Sequence, residues 1–224
     1  MGRKTRYAFA FGLLALLLLT LLAAGFLVGS VSVSPSEVLS VLRGSGGDVA
    51  SRIVDLRLRR MLAASLLGGA LAVSGFLLQT FFANPIAGPF VLGVSSGAKL
   101  TVALVMVFLL SRGVTLGSAG LYGAAFAGSM LVMGLILLVS GQVRQMSLLV
   151  VCGVMIGYIC SAITDLVVTF ADDANIVNLR AWSLGSFSGI SWANLRVIVC
   201  IVTVGLVWSF LLSKPMSAYQ LGEA

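Results

Sequence analysis

The sequence predicts an all-α polytopic membrane protein with about six transmembrane helices. Composition is the first reason: hydrophobic residues make up 59% of the 224 positions and charged residues only 9%, with a mean hydropathy of +1.13. A water-soluble domain of this length leaves roughly a quarter to a third of its chain surface in solvent, too much for so apolar a sequence. Distribution is the second, because the apolar residues fall into uninterrupted runs long enough to span a hydrocarbon core of roughly 30 Å. The third is the absence of a two-residue alternation that would suggest strands.

Six runs are candidate spans, at roughly 8–29, 61–82, 90–110, 119–140, 147–170 and 193–212, and the whole chain reads as one membrane domain. The first follows Arg3, Lys4 and Arg6, which could serve as the basic start of a signal peptide. Its apolar run exceeds the ~7–15 residues of a signal core, so a retained anchor with a cytoplasmic amino terminus is expected. The second run opens on the basic cluster Arg57-Leu-Arg-Arg60, and no charge follows until Lys99. Gln79 lies a turn before its end. Asn84-Pro85 stops it, since a residue before proline is displaced from the helical region and proline has no amide donor. After Pro89 the third run begins, with Gly93, Ser95, Ser96 and Gly97 allowing close helix contact. Gly120, Ala124 and Gly128 in the fourth run, and Gly153 and Gly157 in the fifth, recur at four-residue spacing and mark further packing faces. Asp172-Asp173 ends the fifth run. The segment from Asn175 to Asn194, with Trp182 and Trp192, is too polar to span and reads as a short helix at the membrane surface.

Several chemistries are excluded or disfavoured. The chain contains no histidine, so the GxSxG pattern at Gly93–Gly97 cannot form a Ser-His pair, and no strand precedes it. Gly97-Ala-Lys99 lacks the rest of a Walker A loop, so ATP is not bound that way. A net charge of +7 could suggest nucleic acid, but the basic residues are scattered between apolar runs without interleaved aromatics, and no nucleic-acid partner is expected. Cys152, Cys160 and Cys200 sit in apolar runs without CxxC spacing and read as small core residues, with no metal expected.

The order of motifs resembles the FecCD family, the permease subunits of ABC importers for iron-siderophores, haem and cobalamin. Those motifs are RLRR at 57–60, GGALAVSG at 68–75, Gln79, NPIAGP at 84–89 and GVSSGA at 93–98. Later landmarks agree: Trp182-Ser-Leu-Gly185-Ser, Trp192, Lys214-Pro215-Met216 and Leu221-Gly222-Glu223-Ala224. The resemblance runs from about residue 50 to the end. It departs where the family's RLPR is RLRR, and the chain stops inside what resembles the family's LGExxAxxLG segment. It therefore implies the N-terminal part of a ten-helix ABC importer permease fold, lacking about four further spans and incomplete at the carboxy terminus.

What the resemblance implies about function is a permease subunit of a binding-protein-dependent importer, with no catalysis of its own. The expected cargo is an iron-siderophore, haem, cobalamin or a related metal chelate. Its partners would be a second permease copy, two cytoplasmic ATPase subunits, an extracytoplasmic substrate-binding protein and the lipid bilayer. The chain itself would bind no cofactor, and ATP would be used by the ATPase. With the amino terminus cytoplasmic in a cell membrane, Arg43, Arg52, Arg57, Arg59, Arg60, Arg112, Arg180 and Arg196 fall outside, against the positive-inside rule. The resemblance gives these arginines a docking role, in which Arg57 and Arg60, on one helical face, would pair with acidic residues of the binding protein. Interfacial snorkelling is the alternative.

Further roles follow the same resemblance. Gln79, Asn84, Pro85 and Pro89 form a cytoplasmic turn that either transmits movement to the third span or simply joins two helices stiffly. Gln142, Val143 and Arg144 are candidate gate residues. Leu221, Gly222 and Glu223 would lead into the helices that couple to the ATPase. Lys99 either snorkels to the interface or faces a cavity. Asp165, the only acid well inside a span, lies about five residues, ~7.5 Å, from its outer end. It either pairs with an outer arginine or faces the translocation pathway. A secondary transporter or channel driven by an ion gradient is the alternative function, and would want carboxylates in several spans. An intramembrane enzyme is a third class, disfavoured by the missing histidine.

Overall fold

The computed structural model describes residues 2–45, 47–109, 112–113, 117–143 and 145–220. Among them the chain is helical throughout: α1 (Arg3–Leu27), α2 (Pro35–Leu42), α3 (Asp48–Phe81), α4 (Val94–Phe108), α5 (Ser118–Ser140), α6 (Met146–Thr169), α7 (Asp173–Leu184), α8 (Trp192–Leu211) and α9 (Ser213–Gln220). By length and composition α1, α3, α5, α6 and α8 can each cross a membrane. On α1 and α8 large apolar side chains such as Phe9, Leu19, Trp208 and Phe210 are exposed, as helices bathed in lipid or covered by another apolar surface require.

Three helices differ most from their predicted bounds, the first because α1 begins at Arg3, ahead of the predicted 8–29 span. The second predicted span begins at 61, whereas α3 begins at Asp48, so the arginine cluster lies inside a 34-residue helix. The third was expected over 90–110, whereas α4 has 15 residues, ~22 Å at helical rise. Pro89 and the turns through Gly93 delay its start: Gly93 stands as its N-cap with φ +74°, a left-handed conformation that glycine adopts without a Cβ penalty. The 82–93 connection is otherwise held by its own bonds. Asn84 N–H donates to the Gln79 carbonyl at 3.1 Å, and the Asn84 side-chain oxygen accepts from Ile86 N–H at 2.9 Å, an Asx turn that sets up Pro85. Ala83, at φ 47°, completes the reversal.

Two compact units are present, Met1–Gly68 with Phe187–Thr203, and Gly69–Ser186 with Val204–Ala224. In the first, α2 opens on a capping box: Ser34 Oγ accepts from Glu37 N–H, and the Glu37 carboxylate accepts from Ser34 N–H at 2.8 Å. The second unit has a core of Phe82, Ala87, Leu92, Val132, Ile136, Leu149 and Val150. A second cluster joins Val102, Ala103 and Met106 of α4 to Leu179 of α7.

Small residues let α4 approach its neighbours. On α5 the buried Gly128, Val132 and Ile136 recur every fourth position and so share one face. Thr101 of α4 donates its hydroxyl to the Ala124 carbonyl of α5 at 2.7 Å, and a Cβ built on Gly97 would come within 2.7 Å of the Gly128 carbonyl oxygen. On α6, Gly153 and Gly157 are buried where Leu92 and Gly93 pass. Close backbone contact of this kind replaces the hydrophobic driving force that helices lack in lipid.

Candidate functional site

In the first unit, the functional candidates gather on the amino-terminal half of α3. Arg57 is half-buried, and its guanidinium donates to the carbonyls of Phe26, at the end of α1, and Val31. A cation there meets the negative end of the α1 dipole and satisfies acceptors that the helix cannot. Arg59 donates through Nη2 to Asp55 Oδ2 at 2.7 Å and through Nη1 to the Ile190 carbonyl at 3.2 Å. Asp55 in turn accepts from Trp192 Nε1 at 2.9 Å. Arg60 is exposed and among the described residues reaches the Ser188 carbonyl, at 3.5 Å, with further donors directed to solvent or a ligand. A cavity of about 300 Å³ beside Arg57 and Arg60 is floored by Val28, Ile53, Leu56 and Met61.

In the second unit, two cavities share one lysine. The first, about 550 Å³, is lined by Lys99 and hydroxyls that include Ser96, Ser129 and Ser161, with Phe90 and Trp182 as aromatic wall. Ser161 Oγ donates to Ser96 Oγ across α6 and α4 at 3.4 Å. The second, about 380 Å³, is lined by Lys99, Thr164, Asp165 and Arg180. Lys99 is half-buried and Asp165 exposed. Among the described residues the only ion pair within 4 Å is Arg59 with Asp55, so neither Lys99 nor Asp165 is neutralised by contact. No described group of three or more His, Cys, Asp or Glu side chains could hold a metal ion.

This arrangement of helices has known counterparts. The model of the FecCD transport family matches residues 15–224. The chain belongs to the FecCD transport family. Among curated FecCD relatives, the vitamin B12 import system permease protein BtuC of Klebsiella pneumoniae is 37% identical over 214 residues, covering 95% of this chain and 61% of that protein. BtuC of Vibrio parahaemolyticus is 36% identical over 228 residues, covering 100% of this chain and 65% of that protein. The chain thus spans a little over three fifths of the length of these relatives. A solved ABC transporter assigned to the metal-chelate type, in an inward-facing conformation, superimposes with a TM-score of 0.75 at 25% identity, covering 92% of this chain and 62% of that one. With five helices long and apolar enough to span, this FecCD chain is an integral membrane protein.

The FecCD-derived site residues are distributed unevenly. Arg57 and Arg60 share one cavity wall, but only Arg60 stands exposed. Gln79 is exposed near the end of α3, while Asn84, Pro85 and Pro89 lie in the α3–α4 connection. Gln142 is exposed, and Val143 packs on the core of the second unit. Asp165 borders the cavity of Lys99 and Arg180. Arg144 and Leu221, Gly222 and Glu223 lie outside the described residues. Sequence reasoning missed Asp55, although its i,i+4 spacing to Arg59 was a readable signal. It read Ser96 only as a packing residue and missed Ser129 and Ser161, because the convergence of the three depends on three helices.

Proposed function

We propose that the chain forms the amino-terminal part of the permease subunit of a binding-protein-dependent ABC importer in the cell membrane, carrying cobalamin or a related metal chelate. The observation that carries this reading is the FecCD match over residues 15–224, on a helical arrangement like that of an ABC transporter of the metal-chelate type. Cobalamin comes first among cargoes because the curated relatives cited are vitamin B12 permeases. A second permease copy, two cytoplasmic ATPases and an external binding protein complete the assembly. This chain binds no cofactor and catalyses no reaction; ATP is consumed by the ATPases, whose closure shifts the permease between outward- and inward-open packings.

In this reading the amino terminus is cytoplasmic and the arginines of α3 face outward. Arg60 supplies the available charge for an acidic surface of the binding protein, while Arg57 and Arg59 hold the helix ends that present it. Gln142, Val143 and Arg144 serve as the inner gate, Asp165 borders the pathway, and the 82–93 turn relays movement into α4. Leu221, Gly222 and Glu223 lead towards the ATPase.

Proteoliposomes containing the complete importer test this reading. Cobalamin should accumulate only with external binding protein and internal ATP, and Arg60→Glu should lower the initial rate at limiting binding protein. Accumulation driven by an imposed proton or sodium gradient without ATP would overturn it.

A further inference from the structure

The least explained charge in the second unit is Lys99. It stands on α4, a helix of 15 residues whose only charged side chain it is. It is half-buried, and among the described residues no carboxylate lies within ion-pair distance. An ammonium group in an apolar bundle is costly to keep unless it faces water or an anion. Lys99 borders both cavities of the second unit, where water or an anion can meet the ammonium. On one side stand Ser96 and Ser129, whose hydroxyls can donate hydrogen bonds, with Ser161 already donating to Ser96 and the rings of Phe90 and Trp182 beyond. On the other stands Arg180, with Asp165 as the one acid. The cavities therefore carry two cations against one carboxylate, together with neutral donors and an aromatic wall.

We propose that Lys99 and the adjoining serine hydroxyls form an oxyanion-binding site that receives a carboxylate or phosphate group of the transported molecule, whose apolar body lies against Phe90 and Trp182. The proposal deepens the importer reading, on which it rests only for the identity of the ligand as cargo. Lys99 supplies the charge, and the serines give direction through hydrogen bonds. Asp165 keeps the net charge at one, so that the anion can leave again.

Calorimetric titration of the 224-residue chain in phosphatidylcholine nanodiscs tests this, with citrate and pyrophosphate as separate probes at constant ionic strength. At least one probe should bind saturably. Lys99→Gln should weaken that binding at least about tenfold, as losing a charge-assisted hydrogen bond requires, while Lys99→Arg keeps it within about threefold. Lys214→Gln removes the same charge from an exposed position on α9 and should leave binding unchanged. Far-UV circular dichroism confirms that each variant retains its helices. Absence of saturable binding by the parent chain, equal binding by Lys99→Gln, or an equal loss in Lys214→Gln would overturn the proposal. Loss of binding in Lys99→Gln, in an importer that moves no chelate, would sustain the site and overturn the importer reading. Uptake untouched by Lys99→Gln would do the reverse.

Discussion

Gly93 and Gly157 bring the start of α4 and the middle of α6 into backbone contact: a Cβ on Gly157 would lie 2.9 Å from Gly93 Cα, and one on Gly93 would lie 2.7 Å from Gly157 Cα. No rotamer change relieves such a clash, because the opposing atoms are main chain. Gly157→Ala should therefore destabilise the protein by about 1–3 kcal/mol, the usual cost of overpacking. Gly93→Ala should cost more, since its φ of +74° adds left-handed strain of roughly 1–2 kcal/mol. Gly134→Ala on α5, where a Cβ would meet nothing within 4 Å, should be neutral or slightly stabilising. Thermal unfolding in detergent ranks the three.

Asp55 ties α3 to Trp192 through one bond, from Trp192 Nε1, and accepts a second from Arg59 on its own helix. The Arg59 and Asp55 side chains are 18% and 41% exposed, so solvent screening holds their coupling to about 0.2–1 kcal/mol. A double-mutant cycle with Asp55→Ala and Arg59→Ala, read by unfolding, should return a value in that range. Trp192→Phe should cost a further hydrogen bond, roughly 0.5–1.5 kcal/mol. An Asp55–Arg59 coupling of several kcal/mol would mean that the pair is buried in the assembled protein.

Glu37 gives α2 a pH-dependent start. The Ser34 backbone N–H and the Ser34 side chain, both bonded to the carboxylate, hold its pKa below the usual glutamate value. Its contribution is complete above the unfolded glutamate pKa and is lost as pH falls through the lower folded value. A spin label at Leu39→Cys, an exposed position of α2, should thus become more mobile only under acid conditions. In Glu37→Ala the label should be mobile at every pH.

The runs of apolar residues made most of the bundle readable, because membrane length and helical rise together constrain their size. The Asn84-Pro85 stop and a helix around Trp182 were legible for local reasons, a missing donor and a composition too polar to span, but that helix ends at Leu184 and Trp192 opens α8. The early start of α3 was not, because its charges looked like a helix boundary. In the structure Arg57 is satisfied by the carbonyls of Phe26 and Val31 and Arg59 by Asp55, so the helix passes through them. The α2 cap was present as Ser34-Pro-Ser-Glu37 but went unread in a stretch without apolar periodicity. Asp165 was visible as a charge in a span. Its nearness to Lys99 and Arg180 depends on how α4, α6 and α7 pack, which spacing along one chain does not contain.

The central claim of the proposed function is an orientation, with the arginine end of α3 proposed to face the side of substrate delivery and the residues after α9 the side of the ATPase. Side-specific labelling of intact cells tests it most directly. In a background with Cys152, Cys160 and Cys200 replaced by alanine, single cysteines at Arg60 and Ser217 are exposed to a membrane-impermeant maleimide. The account predicts that Arg60→Cys reacts from outside and Ser217→Cys only after the membrane is opened. Reaction of Ser217→Cys from outside, with Arg60→Cys protected until lysis, would contradict it.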